Sequence, residues 1–138
     1  MIVLKNARQL DGMRESGRLA AEVLAEVCAA VAPGVTTADL DAVAVAAIRG
    51  RGAESAFLNY RGFPGSICVS VNDEVIHGIP GRRRIDLGDV VSVDVGVRYR
   101  GFHGDNAETV LVGVTDEAVI GLVETTRRAL LMGVQAVA

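Results

Sequence analysis

Tryptophan is absent from this 138-residue chain, and cysteine, histidine and proline are sparse, at two, two and three residues. Cys28 and Cys68 are too few for a disulfide framework and lack the spacing of metal-binding cysteine pairs. No uncharged apolar run approaches the roughly 20 residues of a membrane span. The opening Met1-Ile2-Val3-Leu4-Lys5 is too short for the apolar region of a signal peptide. A cytoplasmic location is therefore expected. With a net charge of -3 and a pI near 5.3, the chain has no general attraction to nucleic acid or membrane surfaces.

What the chain has in abundance is apolar surface. Half of its residues are hydrophobic, and its mean hydropathy is +0.35. A single domain is expected at this length, able to bury roughly two-thirds of its unfolded surface. The surplus suggests a face meant to be covered by something else.

The stretch from Val90 to Val112 organises the rest. Val91, Val93, Val95 and Val97 recur at a period of two and fill one face of a strand. Asp94 points to the opposite face, beside Ser92 and Gly96. Tyr99-Arg100-Gly101 signals a turn, and a second strand follows as Phe102 to Leu111. An even loop without a bulge puts Asp94 straight across from Asp105, with Cβ atoms about 4.5–5.5 Å apart. Two carboxylates so placed repel. A shared proton, an arginine or a cation must compensate, and hard divalent ions take such oxygens as ligands. The alternatives are two solvated aspartates on an exposed face, or a bulge that separates the pair.

Around the hairpin, the chain reads as helices and loops. A helix is expected from about Ala7 to Val31, with Leu19, Val23, Leu24, Val27, Cys28 and Val31 on one side and Glu15, Arg18, Glu22 and Glu26 on the other. Pro33-Gly34 stops it. Thr36 or Thr37 caps a second helix, with Asp39 and Asp41 favoured by the dipole of its first turn. That helix runs through Leu40, Val43, Ala47 and Ile48 to the Gly50-Arg51-Gly52 break. The loop from Phe57 to Gly65 holds three of the five aromatics, forming either a satellite core or the wall of an apolar pocket. Ile67 to Val71 is a short strand. His77 sits at a turn, where a lone histidine is more often structural than catalytic. Arg82-Arg83-Arg84 reads as a solvated loop, and Asp86-Leu87-Gly88-Asp89 as a turn into the valine strand. Thr115 caps a last helix through Ile120, Val123, Leu130, Val134 and Val137. Laying that helix over the first pairs Leu24 with Leu130 and Ala30-Val31-Ala32 with Ala136-Val137-Ala138, a weak sign of an internal repeat.

Three segments together carry a family resemblance. Val71-Asn72-Asp73-Glu74-Val75-Ile76-His77-Gly78-Ile79-Pro80 resembles the first motif of type I methionine aminopeptidases. Ser92-Val93-Asp94-Val95-Gly96 with Gly101-Phe102-His103-Gly104-Asp105 is similar to that family's metal-aspartate hairpin. Tyr60-Arg61-Gly62-Phe63-Pro64 with Cys68 is similar to its substrate-pocket segment. The resemblance covers essentially all of residues 1–138, as the N-terminal half of the family's catalytic domain. It implies an α/β (α+β) fold: one half of a pita-bread fold, an antiparallel sheet with a metal-site hairpin covered by helices, lacking the second repeat. It also implies removal of N-terminal methionine from nascent chains with two divalent ions, whether Co, Mn, Fe, Zn or Ni. Asp94 would chelate one metal and Asp105 bridge both. His77 would contact the substrate amide as a catalytic residue. Tyr60, Phe63, Cys68 and Phe57 would line the methionine pocket. Prolidase-like and proline-aminopeptidase relatives share the metal carboxylates, and the Val71-to-Pro80 segment favours methionine over them.

The family's remaining ligands, one histidine and two glutamates, have no match here. His103, Glu108, Glu117 and Glu124 do not supply them, and Asn106-Ala107 stands where a hydroxyl residue usually follows the aspartate. This chain alone is therefore expected to be inactive. Its partners would be N-terminal methionyl peptides, and a C-terminal half or a second copy of itself. The alternative is a self-associating half-domain that folds as a homodimer and binds divalent metal without peptidase activity. A purely binding relative is disfavoured, since it would not need both aspartates and His77.

Overall fold

Helix α1 (Ala7–Ala29) opens on a reciprocal cap. The Gln9 N–H donates to the Asn6 side chain, and the Asn6 N–H donates to that of Gln9. The capping pair satisfies two of the free amides at the helix start. The helix stops at Ala29, two residues before the expected Val31, where Ala30 N–H closes the last turn on Val27 O. Leu19, Ala20, Val23, Leu24 and Val27 are buried, which is the apolar face expected from their spacing. Helix α2 (Thr37–Gly50) is capped by Thr36, with Asp39 completing the reciprocal pair. Thr37 is instead buried, with its hydroxyl bonded to Gly81.

Four antiparallel strands form one sheet: β1 (Glu54–Ser55), β2 (Cys68–Val71), β3 (Val90–Tyr99) and β4 (Phe102–Leu111). Strand β3 is the spine. It pairs with β4 along its whole length on one edge, and with β2 and then β1 on the other. Val91, Val93, Val95 and Val97 are fully buried beneath α1 and α2, with Val69 and Val71 beside them. Burying each such side chain contributes about 1.5–3 kcal/mol. The opposite face carries the site. Described residues span 4–137 of this computed structural model. Met1–Val3 of the opening segment and Ala138 of the repeat comparison lie outside them.

The register differs from the one expected. Tyr99 pairs with Phe102 around a two-residue turn, so Asp94 faces Ala107 and Asp105 faces Gly96. Arg100 and Gly101 both take positive φ, 49° and 83°, the conformation that matches a tight hairpin to the strand twist. The pairing is displaced by two residues, an even number, so the face is conserved. The aspartates are diagonal neighbours, about 7–8 Å apart along the backbone.

Two glycines let α1 approach the hairpin. A Cβ on Gly104 would stand 2.2 Å from Ser16 O, and one on Gly12 would stand 2.4 Å from the Phe102 ring. The Ser16 hydroxyl donates to Phe102 O at 3.0 Å across the same contact.

Helix α3 (Glu117–Val137) starts after Asp116, whose carboxylate accepts the Ala118 N–H at 2.8 Å. Asp116, not the expected Thr115, is therefore the cap, because its side chain is the one that reaches the second helical amide. None of the described α3 residues is buried, and Leu130 and Val134 are 64% and 60% exposed. Much of the apolar surplus lies on this stripe.

Gly104→Ala tests the contact between α1 and the hairpin. Because the clash is with backbone, it should cost about 1–3 kcal/mol. The expected signature is a lower urea midpoint at unchanged slope.

Candidate metal and substrate site

The open face is built from β3 outward. Asp94 and Gly96 stand on it from β3, and Asp105 from β4. Cys68 pairs with Asp94 from β2, and Ser70 with Ser92. Gly96 stands in the alternation where a side chain would be, and the Phe57 ring occupies that space; a Cβ there would lie 2.3 Å from the ring. The ring therefore lies over the residue that pairs with Asp105.

A second segment is sewn to the outer edge of β2. Val69 N–H donates to Gly78 O at 3.0 Å, and Gly78 N–H donates to the Ser70 hydroxyl at 3.0 Å. Only glycine fits at 78, since a Cβ would meet Val69 O at 2.2 Å. This stitching sets the neighbouring His77, which has a φ of 58°. His77 is exposed, and its charge is felt at Asp94. Farther along, Pro80 and the Phe63 ring flank Gly65. Tyr60 stands apart at the rim, 62% exposed, with the Arg61 guanidinium 5.4 Å from its ring centre. His103 falls on the same face as Asp105 but is exposed, opposite Arg98.

Electrostatics single out Asp94. Burial, then repulsion from the Asp105 carboxylate, pushes its acid up to about 6, against a smaller opposing pull from His77. Its Oδ1 atom is buried and has no hydrogen-bond partner. A buried, unpaired oxygen of this kind costs free energy unless something binds it. Cys68 feels the same environment. Its thiol is pushed up to about 11, chiefly by burial and then by the charges of Asp94 and Asp105, so it stays neutral near pH 7.

These groups fit a divalent cation in kind. Two carboxylates converge on one face, and one oxygen lacks a partner. They do not complete its shell: among the described residues, no group of three or more His, Cys, Asp or Glu is placed to hold an ion. By themselves Asp94 and Asp105 would give such an ion only part of its ligand shell.

Phe57, Cys68, Asp94 and Asp105 converge on the open face. His77 and Phe63 border it, and Tyr60 lies farther out. Sequence reading gave no tertiary contact to Gly96, which receives the Phe57 ring, to Asp41, which accepts the Ser66 and Ile67 N–H groups, or to Ser55, whose hydroxyl donates to Ser66 O. Gly96 is a gap in an otherwise filled alternation. Asp41 is a second acid in a helix start whose cap uses only Asp39. Ser55 carries no local signal, because its partners are set by the fold.

The family model described as metallopeptidase family M24 matches residues 11–138, and the chain belongs to that family. It is 44% identical over 135 residues to methionine aminopeptidase 1 of Bacillus subtilis, covering 98% of this chain and 54% of that relative. The methionine aminopeptidase of Thermotoga maritima superposes with a TM-score of 0.92 at 38% identity, over 96% of this chain and 53% of that one. That of Rickettsia prowazekii gives 0.91 at 37% identity, over 95% and 53%. The chain spans about half the length of the curated relatives it matches, and its fold is one half of the pita-bread fold. Membership of a metallopeptidase family implies divalent metal. No described helix is long and apolar enough to cross a membrane.

The Asp94 shift sets a pH dependence for the metal-free protein. An acid held above its ordinary value costs nothing while protonated in both states, and costs stability once it must ionise. Stability from this group therefore falls as pH rises from about 4 to about 6. In a chelator, Asp94→Asn should be more stable than the parent by about 1–2 kcal/mol above that window, allowing for solvent screening. Below it the two should match. Urea midpoints at both ends check this.

Proposed function

We propose that this chain is the metal-aspartate half of a methionine aminopeptidase, acting by metal-assisted hydrolysis of an N-terminal methionyl peptide bond once the site is complete. The observation that carries the reading is the placement of Asp94 and Asp105 as diagonal neighbours on one face, with Asp94 Oδ1 buried and without a hydrogen-bond partner. Similarity at 44% identity to a protein named methionine aminopeptidase supports the substrate class.

The chain's own residues then take distinct roles. Asp94 and Asp105 hold the ions. When bound, the ions polarise the scissile carbonyl and make a water acidic enough to attack at neutral pH. His77 stands exposed at the border of the face, to hold the substrate amide and favour the developing charge. Phe57, Phe63 and the neutral Cys68 form an apolar wall suited in its softness to a thioether chain, with Tyr60 farther out at the rim. Two acids do not make a dinuclear centre, so the chain by itself is inactive.

The test combines the purified chain with the complementary half of a relative such as that of B. subtilis, in manganese, on a methionyl peptide. Cleavage should appear only in the mixture. Asp94→Asn or Asp105→Asn should lower it at least about a hundredfold, and His77→Ala by a similar factor. A folded pair that stays inactive would sink the proposal.

The bare stripe of α3 favours a second reading, in which the chain self-associates. Leu130, Val134 and Val137 are exposed on one helix, and the outer edge of β4 has no strand partner among the described residues. A two-fold dimer could face two Asp94–Asp105 pairs and bind cations without peptidase activity. Sedimentation would then show a dimer that manganese tightens and Asp105→Asn loosens. A monomer at high concentration would rule it out.

A further inference from the structure

The aromatic segment from Phe57 to Gly65 is tied down at its neck by two side chains outside the open face. From α2, Asp41 Oδ1 accepts the Ser66 N–H at 2.7 Å and the Ile67 N–H at 3.1 Å. From β1, the Ser55 hydroxyl donates to Ser66 O at 2.7 Å and accepts the N–H groups of Phe57 and Leu58, each at 3.1 Å. Ser66, only 4% exposed, thus has its N–H on one anchor and its C=O on the other. The segment between is closed on itself: Asn59 N–H donates to Phe63 O at 2.8 Å, and Asn59 and Arg61 take positive φ. A stiff loop hung on a fixed neck moves as one piece. Its start carries the Phe57 ring over Gly96, and its end runs into Cys68, across from Asp94.

We propose that Asp41 and Ser55 are positioning residues, a two-point clamp that fixes the aromatic wall and Cys68 against the face of Asp94 and Asp105. The clamp acts from α2 and β1, so the width of the pocket is set by elements that touch neither substrate nor metal. A carboxylate that accepts two buried amides is among the stronger hydrogen-bonding arrangements available to a loop. Its alignment depends on α2 starting at Thr37, one turn before Asp41. The proposal rests on reading the aromatic segment as a substrate wall, but its test needs neither metal nor peptidase activity.

The chain contains its own reporter and its own control. Cys68 is 4% exposed and follows directly after the clamped amides of Ser66 and Ile67, whereas Cys28 lies half-buried on α1. A soluble thiol reagent is added to the native 138-residue protein, and labelling of each cysteine is followed by mass spectrometry without denaturant. Asp41→Ala should speed labelling of Cys68 about tenfold or more while Cys28 stays within about twofold. Ser55→Ala should do the same independently, which keeps the test valid if the first variant folds poorly. Asp41→Asn, whose amide oxygen can accept the same two N–H groups, should restore most of the protection. Parallel acceleration of both cysteines would mean general destabilisation and overturn the clamp. So would an unchanged Cys68 rate in both alanine variants, or an asparagine variant as fast as Asp41→Ala. Failure of the peptidase reading would leave these rates untouched, so the two ideas fall separately.

Discussion

Double pairing of β3 is the constraint on which the rest depends. With β4 on one edge and β2 and β1 on the other, its backbone groups are satisfied within the sheet, and every side chain is committed to one face or the other. Four valines take the helix side and are fully buried. Asp94 has no choice but the other side, at a depth where its Oδ1 finds no partner. A one-residue slip would put the acid into the core and a valine into the open. The cost would exceed the stability of an ordinary domain of this size. The apolar pattern therefore places the acid, and no local preference of aspartate is needed.

The same commitment explains why two acids can coexist. The observed diagonal offsets the two backbone positions, yet it keeps both acids on one face with their carboxyl groups close enough to interact directly. Enough repulsion and burial remain to hold Asp94 above its ordinary range. The fold thus carries an electrostatic debt that a cation would cancel. In structural terms, functional sites are where local rules of stability are broken against the surrounding order.

Periodicity made the faces, the helices and the hairpin's ends legible, because burial reads the same alternation that the sequence writes. The register was not legible to the same degree. Tyr99-Arg100-Gly101 offers a glycine but not the second positive-φ residue, and nothing about arginine announces that Arg100 will take φ of 49°. The cap of α3 failed for a related reason: Thr115 and Asp116 are both good caps, and only the backbone path decides between them. Asp41 was read through the helix dipole alone, since its two amide donors lie 25 and 26 residues away. Local signals were recovered, and side chains whose meaning is tertiary were not.

Helix α3 carries an unmet packing demand. Its stripe of Leu130, Val134 and Val137 has the spacing of a core-facing helix, yet it faces no core among the described residues. Helices of this length gain most of their stability from packing an apolar face, so a bare stripe is an unspent driving force for association. The face of Asp94 and Asp105 is deficient in the same sense, with two carboxylates where a divalent ion takes roughly four to six or more donors. A partner that covered the stripe without adding ligands would stabilise the fold and leave the chemistry undone. One that added ligands without covering the stripe would have little to hold it in place. The relatives, about twice as long as this chain, have length enough to meet both needs with one continuous piece. A second copy could cover the stripe, but it would bring only the same carboxylates and His77, which is why self-association and peptidase activity are separate outcomes for this chain.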